Sequence, residues 1–147
     1  MQEALKEAQK ASREGEVPVG AVIVFKNKII ARSHNQVERL KDPTAHAEMI
    51  AITSATHYLG TKWLNGVAMY VTIEPCSMCA GALVLARIKE LYFGARDTKT
   101  GACGSVFNIA NNTTLNHRIK IKGELLGREC GFLLSEFFGK KRAKAEK

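Results

Sequence analysis

The sequence predicts an α/β fold: a three-layer α/β/α sandwich around a mixed sheet of about five strands. Three observations predict it. Strand-length apolar runs alternate with stretches of helical periodicity, the first two runs form a hairpin, and the chain closes on a helix carrying a long apolar stripe.

Residues 2–14 set Ala4, Leu5, Ala8 and Ala11 on one helical face, with Gly15 as the C-terminal stop. VGAVIVF (19–25) and KIIARSH (28–34) are β-branched, apolar runs separated by Lys26 and Asn27, the polar step of a hairpin, and Asn35 falls at the second strand's end. Beyond Asp42 and Pro43, Thr44 is the expected cap of a helix that runs to about Leu59 and ends at Gly60, with His46 and Glu48 in its first turn. VAMYVTI (67–73) is a strand that Glu74 and Pro75 break, so Cys76 and Cys79 open the helical stretch from about Ser77 to Arg87. LYFGA (91–95) is the next strand, the polar loop RDTKTGACGS follows it, and RIKIKGEL (118–125) supplies the fifth. In the last helix Cys130, Leu133, Leu134, Phe137 and Phe138 repeat with helical spacing, a core-facing stripe that makes Cys130 a core residue. The closing residues 140–147, KKRAKAEK, are expected to fray.

At 147 residues and 46% hydrophobic content the chain is the size of one domain, spanning 1–147, with enough apolar side chains to close a core. Twenty-two Lys and Arg against 14 Asp and Glu give a formal charge of +8, which suits a polyanionic partner and equally a solvated cationic surface. The four cysteines, Cys76, Cys79, Cys103 and Cys130, are too few and too unevenly placed for a disulfide scaffold, so a reducing cytoplasm is expected. The N-terminal MQEALKEAQKA lacks the apolar core of a signal peptide, and no run approaches the ~20 apolar residues of a membrane span. Neither membrane nor export is indicated.

The chemistry concentrates in two short segments, His46-Ala47-Glu48 and Pro75-Cys76-Ser77-Met78-Cys79. Cys76 and Cys79, three residues apart on one helical turn, present both sulfurs in one direction, and His46 can supply a third ligand to a single zinc ion. Three protein ligands leave a fourth position for water, which separates a catalytic zinc from a closed structural one. Two thiolates nearly cancel the charge of Zn²⁺, so something must compensate. If both helices begin where expected, at the sheet's edge, their N-termini converge on the metal, each worth roughly half a positive charge. Glu48, two residues from His46, is placed to take the water's proton. The competing readings of an isolated C-x-x-C are a structural zinc knuckle and a redox pair. The first needs a fourth ligand that neither Cys103 nor Cys130 supplies by spacing, and the second has no use for His-Ala-Glu.

The pair of segments matches the H-x-E…P-C-x-x-C signature of zinc deaminases. The match extends along nearly the whole chain: EVPVGAVIV, DPTAHAEMIAI, EPCSMCAGAL, FGARDTKTGA, LNHR and LLSEFF follow in order, and together they resemble the bacterial tRNA adenosine deaminases of the cytidine-deaminase-like fold. That resemblance implies hydrolytic conversion of the wobble adenosine of a tRNA anticodon stem-loop to inosine, with one zinc per subunit held by His46, Cys76 and Cys79. Glu48 would carry protons to the ring nitrogen and to the departing ammonia.

By the same resemblance Asn35 would hydrogen-bond the flipped-out nucleoside, the alternative being a strand-end cap. Val17 and Ala47 would line the base pocket or serve only packing. Asp97, Lys99, Asn116, His117 and Arg118 would meet the anticodon loop, although charged loops are also commonly just solvated. Lys140, Lys141 and Arg142 suit either phosphate contact or a solubilising tail. The family's homodimers imply the same assembly, with AGALVLA (80–86), apolar on nearly every face, lying either at that interface or wholly inside.

His34, His57 and His117 are metal-ligand candidates in principle only, and His57 is expected near the surface. Cys103, where relatives carry a small non-thiol residue, would oxidise or bind metal if exposed. The rival functions are deamination of free cytosine, guanine or deoxycytidylate, and a non-catalytic zinc-stabilised RNA-binding module.

Overall fold

The computed structural model describes residues 1–146. Its ten elements run α1 (Gln2–Arg13), β1 (Gly20–Phe25), β2 (Lys28–His34), α2 (Val37–Leu40), α3 (Ala47–Leu59), β3 (Ala68–Ile73), α4 (Ser77–Leu85), β4 (Glu90–Ala95), β5 (Lys120–Lys122) and α5 (Gly127–Ala145). The strands form one five-stranded sheet in the order β2-β1-β3-β4-β5. β1 is antiparallel to both β2 and β3, while β3, β4 and β5 are parallel. Helices α1 and α5 cover one face and α3 the other, with α4 packed beside α3, which gives the expected three layers.

Local chemistry explains the elements. Lys26 and Asn27 both adopt positive φ, 50° and 60°, the backbone of a tight turn whose twist matches the strands it joins. Ala4, Ala8 and Ala11 are wholly buried, so α1 lies against the sheet through its smallest side chains, with Leu5 only half-buried beside them. Gly94 of β4 leaves the space into which the Cys130 side chain of α5 packs, and Cys130 is accordingly buried. The centre of the core is apolar throughout: Ile23, Met69, Val71, Leu83, Leu91 and Phe93.

Several boundaries differ from the sequence reading. Thr44 does not cap α3. Its amide and its hydroxyl both donate to Asp42 Oδ1, at 2.8 and 2.7 Å, in a local turn, and His46 occupies the N-cap position. The fifth strand is three residues, not eight, because only Lys120–Lys122 find partners on β4. Helix α4 ends at Leu85, before Arg87 turns the chain with φ of 63°.

The stripe of α5 is buried at Cys130, half-buried at Leu133, Leu134 and Phe137, and exposed at Phe138, since only the first half of the helix rests on the sheet. The segment from Lys140 that was expected to fray continues as helix through Ala145, and Lys147 lies outside the described residues. The short α2 was not anticipated. Its amides at Glu38 and Arg39 donate to the buried carboxylate of Glu16, at 2.9 and 2.8 Å, a long-range cap that no local pattern announces. Among the described residues no helix is long and apolar enough to cross a membrane.

Candidate active site

Two loop-to-helix junctions meet where β3 ends. His46 is the N-cap residue of α3 and Cys76 the N-cap residue of α4, both in extended backbone conformation. Neither side chain caps its helix by a hydrogen bond, and both turn toward the same point. The junction at Cys76 follows β3, the central strand of the sheet, rather than an edge strand. Cys79 lies one turn further along α4, wholly buried.

These three side chains converge. His46 Nδ1 stands 3.7 Å from Cys76 Sγ and 3.5 Å from Cys79 Sγ. Tetrahedral zinc with ordinary Zn–S and Zn–N bonds places such atoms about 3.6 Å apart, so the donor set is already spaced for the ion. Among the described residues, this is the one group of three or more His, Cys, Asp or Glu side chains close enough to share a metal. His34, His57 and His117 take no part in it.

The electrostatics favour a cation at this point. Hydrogen bonding from Cys79, and then from His46, draws the Cys76 thiol down to about 4 against the opposing effect of burial. The Cys79 thiol is pushed up, as the donor of that bond and by burial. His46 is raised, chiefly by its bond to Cys76. The N-termini of α3 and α4 add their partial positive charge from two directions, which steadies thiolates.

Glu48 is 3% exposed, within the first turn of α3, and burial raises its carboxyl above the usual carboxylate range. It lies within hydrogen-bonding reach of Cys79. A buried carboxyl beside a three-ligand metal cluster is suited to hold and pass on a proton.

A cavity of about 360 Å³ opens over this cluster, lined among others by Val17, Asn35, Ala47, Glu48 and Asp97. Asn35 is buried at its wall. Its Nδ2 donates to the Val17 carbonyl at 3.4 Å, and its Oδ1 is the one buried side-chain oxygen or nitrogen without a partner among the described residues. A buried orphan acceptor beside a cavity is costly unless a ligand satisfies it.

The remaining sequence candidates fall elsewhere. Lys99 is exposed on the turn after Asp97, outside the cavity wall. Asn116, His117 and Arg118 precede β5, at the end of the parallel strands opposite to the metal cluster. There Asn116 is exposed beside Trp63 and Leu85, His117 bonds the Ile88 carbonyl, and Arg118 bonds Asn111. Cys103 is buried, so the condition for its ready oxidation is not met. Lys141 reaches the rim of the cavity from α5.

Sequence reasoning treated Glu74 only as a strand breaker, yet it is a buried acid at the heart of this region. It is 1% exposed and accepts from the backbone amides of Asp97, Cys103 and Ser105 at 3.2, 3.0 and 3.1 Å, and from the Ser105 hydroxyl. The available signal was an acid set between an apolar strand and a metal ligand, ahead of a loop rich in free amides.

Comparison with known proteins agrees with this geometry. Residues 1–95 match the cytidine and deoxycytidylate deaminase zinc-binding region. A tRNA-specific adenosine deaminase of Aquifex aeolicus is 56% identical over 95% of this chain and 91% of its own, and one of Bacillus subtilis is 48% identical over 98% and 89%. A solved structure from studies of A-to-I editing by tRNA:A34 deaminases at the wobble position superposes with a TM-score of 0.88 at 43% identity, covering 91% of this chain and 97% of the other. The guanine deaminase of Bacillus subtilis superposes less closely, with a TM-score of 0.63 at 32% identity over 96% and 90%.

Proposed function

The chain belongs to the cytidine and deoxycytidylate deaminase family of zinc enzymes, and from that membership we propose that its reaction is deamination of the wobble adenosine of tRNA to inosine. It is a zinc-dependent tRNA adenosine deaminase. The observation that carries this reading is the conjunction of a three-ligand metal cluster, the buried Glu48 and an orphan Asn35 acceptor around one cavity. Guanine deaminase, the free-base alternative, is the more distant relative in both sequence and superposition.

His46, Cys76 and Cys79 would hold the ion through the atoms already grouped. Zinc, when bound, supplies Lewis acidity and a water acidified for nucleophilic attack. Glu48 would accept a proton from the attacking water and deliver it to the purine ring nitrogen as a C–O bond forms at the amine-bearing carbon. Glu48 would then take the proton of the newly added hydroxyl and pass it to the exocyclic amine, so that the C–N bond breaks, ammonia leaves and the C–OH becomes the carbonyl of inosine. Water and adenosine are thereby balanced against inosine and ammonia. Asn35 Oδ1 accepts from the bound nucleoside, and Val17 and Ala47 shape the wall against the base.

The same reading takes 1–147 as one deaminase domain, acting in the cytoplasm on the anticodon stem-loop as a homodimer. Two features support the dimer. Leu85, in the apolar helix α4, is 79% exposed beside Trp63 and Leu115, and the same patch reaches Asn116, at the end of the sheet opposite to the cavity.

The decisive experiment incubates zinc-loaded protein with an anticodon stem-loop bearing a wobble adenosine, with free cytidine, guanine and adenosine alongside. Inosine in the stem-loop alone is expected, with Glu48→Ala retaining zinc and RNA binding but losing turnover by at least about a thousandfold. Turnover of a free base in preference to RNA, or an active Glu48→Ala protein, defeats the reading.

A further inference from the structure

We propose that Glu74 is the positioning residue for substrate recognition: its buried carboxylate ties the 97–105 loop, which walls the nucleoside cavity, to the strand end that carries Cys76. The inference rests on the deaminase reading for the cavity's occupant, but the tether itself is defined by contacts alone.

A carboxylate this deeply buried would ordinarily be matched with a cation. Among the described residues Glu74 forms no ion pair, and every hydrogen-bond partner of its side chain comes from one loop: the amides of Asp97, Cys103 and Ser105, and the Ser105 hydroxyl. These donors lie 23 to 31 residues away in sequence, so the bonds are tertiary and hold the loop at both its beginning and its end. A charged acceptor strengthens each such bond and, in a dry interior, gives the loop few alternative arrangements.

Two further contacts close the same junction. The Ala102 amide donates to the Pro75 carbonyl at 2.8 Å, and Gly101 bridges Cys76. Gly101 has no room for a larger residue, because a Cβ there would lie 2.5 Å from both the Glu74 carboxylate and the Asp97 carbonyl oxygen. The loop therefore closes directly over the carboxylate.

What the tether positions is the turn at its start. Asp97 and Thr100 line the cavity. The Asp97 carboxylate is spent within the turn, accepting from the amides of Lys99 and Thr100 at 2.9 and 3.0 Å and from the Thr100 hydroxyl at 2.7 Å. The turn is thus a rigid unit, and the hydrogen bond that the Asp97 amide donates to Glu74 fixes where that unit stands relative to the metal ligands. An error of about an ångström in such a wall is enough to lower productive binding severely. Glu74 borders the cavity, but its carboxylate is buried and all its hydrogen bonds go to the loop, so its loss falls on the placing of that wall, and hence on substrate capture, rather than on proton transfer by Glu48.

The test compares the zinc-loaded wild type with Glu74→Gln, which keeps the shape but removes the charge and one acceptor. Expected are faster amide hydrogen exchange across 97–105 with unchanged protection at 47–51 and 77–83, an unchanged zinc content, and a KM for the stem-loop raised about tenfold, the scale of one charge-assisted hydrogen bond, with kcat within about twofold. Ser105→Ala, which removes one donor from outside the cavity, gives the same pattern more weakly and serves if Glu74→Gln does not fold. Unchanged exchange in the loop, lost zinc, or a lower melting temperature without a change in KM overturns the proposal. A wild-type protein inactive on the stem-loop would instead overturn the functional reading, while the exchange measurement still decides whether the tether exists.

Discussion

Gly20 and Ala8 meet backbone to backbone: a Cβ added at Gly20 would lie 2.5 Å from the amide nitrogen of Ala8 and would also strike the carbonyl oxygen of Ala4. Helix α1 rests on the first residue of β1 with no side chain between them, and the Gly20 amide is turned away to the Thr72 hydroxyl at 3.1 Å. Gly20→Ala has only backbone to displace, and backbone yields poorly. The expected loss is about 3 kcal/mol in urea unfolding, the upper range of overpacked cores. A loss under about 1 kcal/mol would mean that α1 can lift from the sheet.

Helix α1 is fastened a second time at its other end, through His34. The imidazole of this buried residue lies between two carboxylates, with Nδ1 3.3 Å from Glu7 and Nε2 2.8 Å from Glu14. Hydrogen bonding from His34, ahead of lesser contributions from Arg39 and Lys10, holds the Glu14 carboxyl below its ordinary value of 4.5. A depressed folded-state pKa means stability that is present in full above the unfolded value and is lost as pH falls through the folded one. The stability advantage of wild type over Glu14→Gln should therefore shrink as pH drops below about 4.5. An advantage that persists unchanged at pH 3 would contradict this account.

How far the sequence disclosed these relationships depended on their range. The hairpin and the end of α3 at Gly60 were legible because each is written in neighbouring residues, as with the paired positive φ of Lys26 and Asn27. His46, Glu48, Cys76 and Cys79 were legible because metal-ligand spacing is itself local, and only the meeting of the two segments required the fold. Glu16 and Glu74 escaped for the opposite reason. Their meaning lies in amides 22 to 31 residues away, and an isolated glutamate in a loop looks solvated until those amides are seen. Thr44 misled because its hydroxyl had a nearer partner in Asp42 than in the helix it was expected to cap.

Cys103 illustrates burial overriding a sequence-level concern. Its thiol is pushed up to about 12, first by burial and then by the negative charge of Glu74. The nucleophilic thiolate is therefore scarce at ordinary pH, and access is closed as well. In the zinc-loaded protein at pH 8, iodoacetamide should leave Cys103 unmodified over hours, and labelling should appear only with denaturant, as read by peptide mass spectrometry. Rapid modification in the native protein would show that the 97–105 loop opens far more readily than its bonds to Glu74 suggest.

The exposed Leu85 offers the sharpest test of assembly. An apolar side chain at 79% exposure, next to Trp63 and Leu115 which are also exposed, forms the kind of patch that a protein partner covers. The patch borders Asn116, so a second copy seated on α4 would bring one chain's 116–118 segment into a shared interface rather than leaving it isolated at the far end of its sheet. Leu85→Glu places a charge where the partner would have to desolvate it, a penalty of several kcal/mol for a dimer that buries it twice. The expected outcome is a shift from dimer to monomer in analytical ultracentrifugation at micromolar concentration, with zinc content intact and stem-loop activity reduced about tenfold or more. If the variant becomes monomeric but keeps full activity, 116–118 contribute nothing across the interface. If it stays dimeric, α4 is not the contact surface.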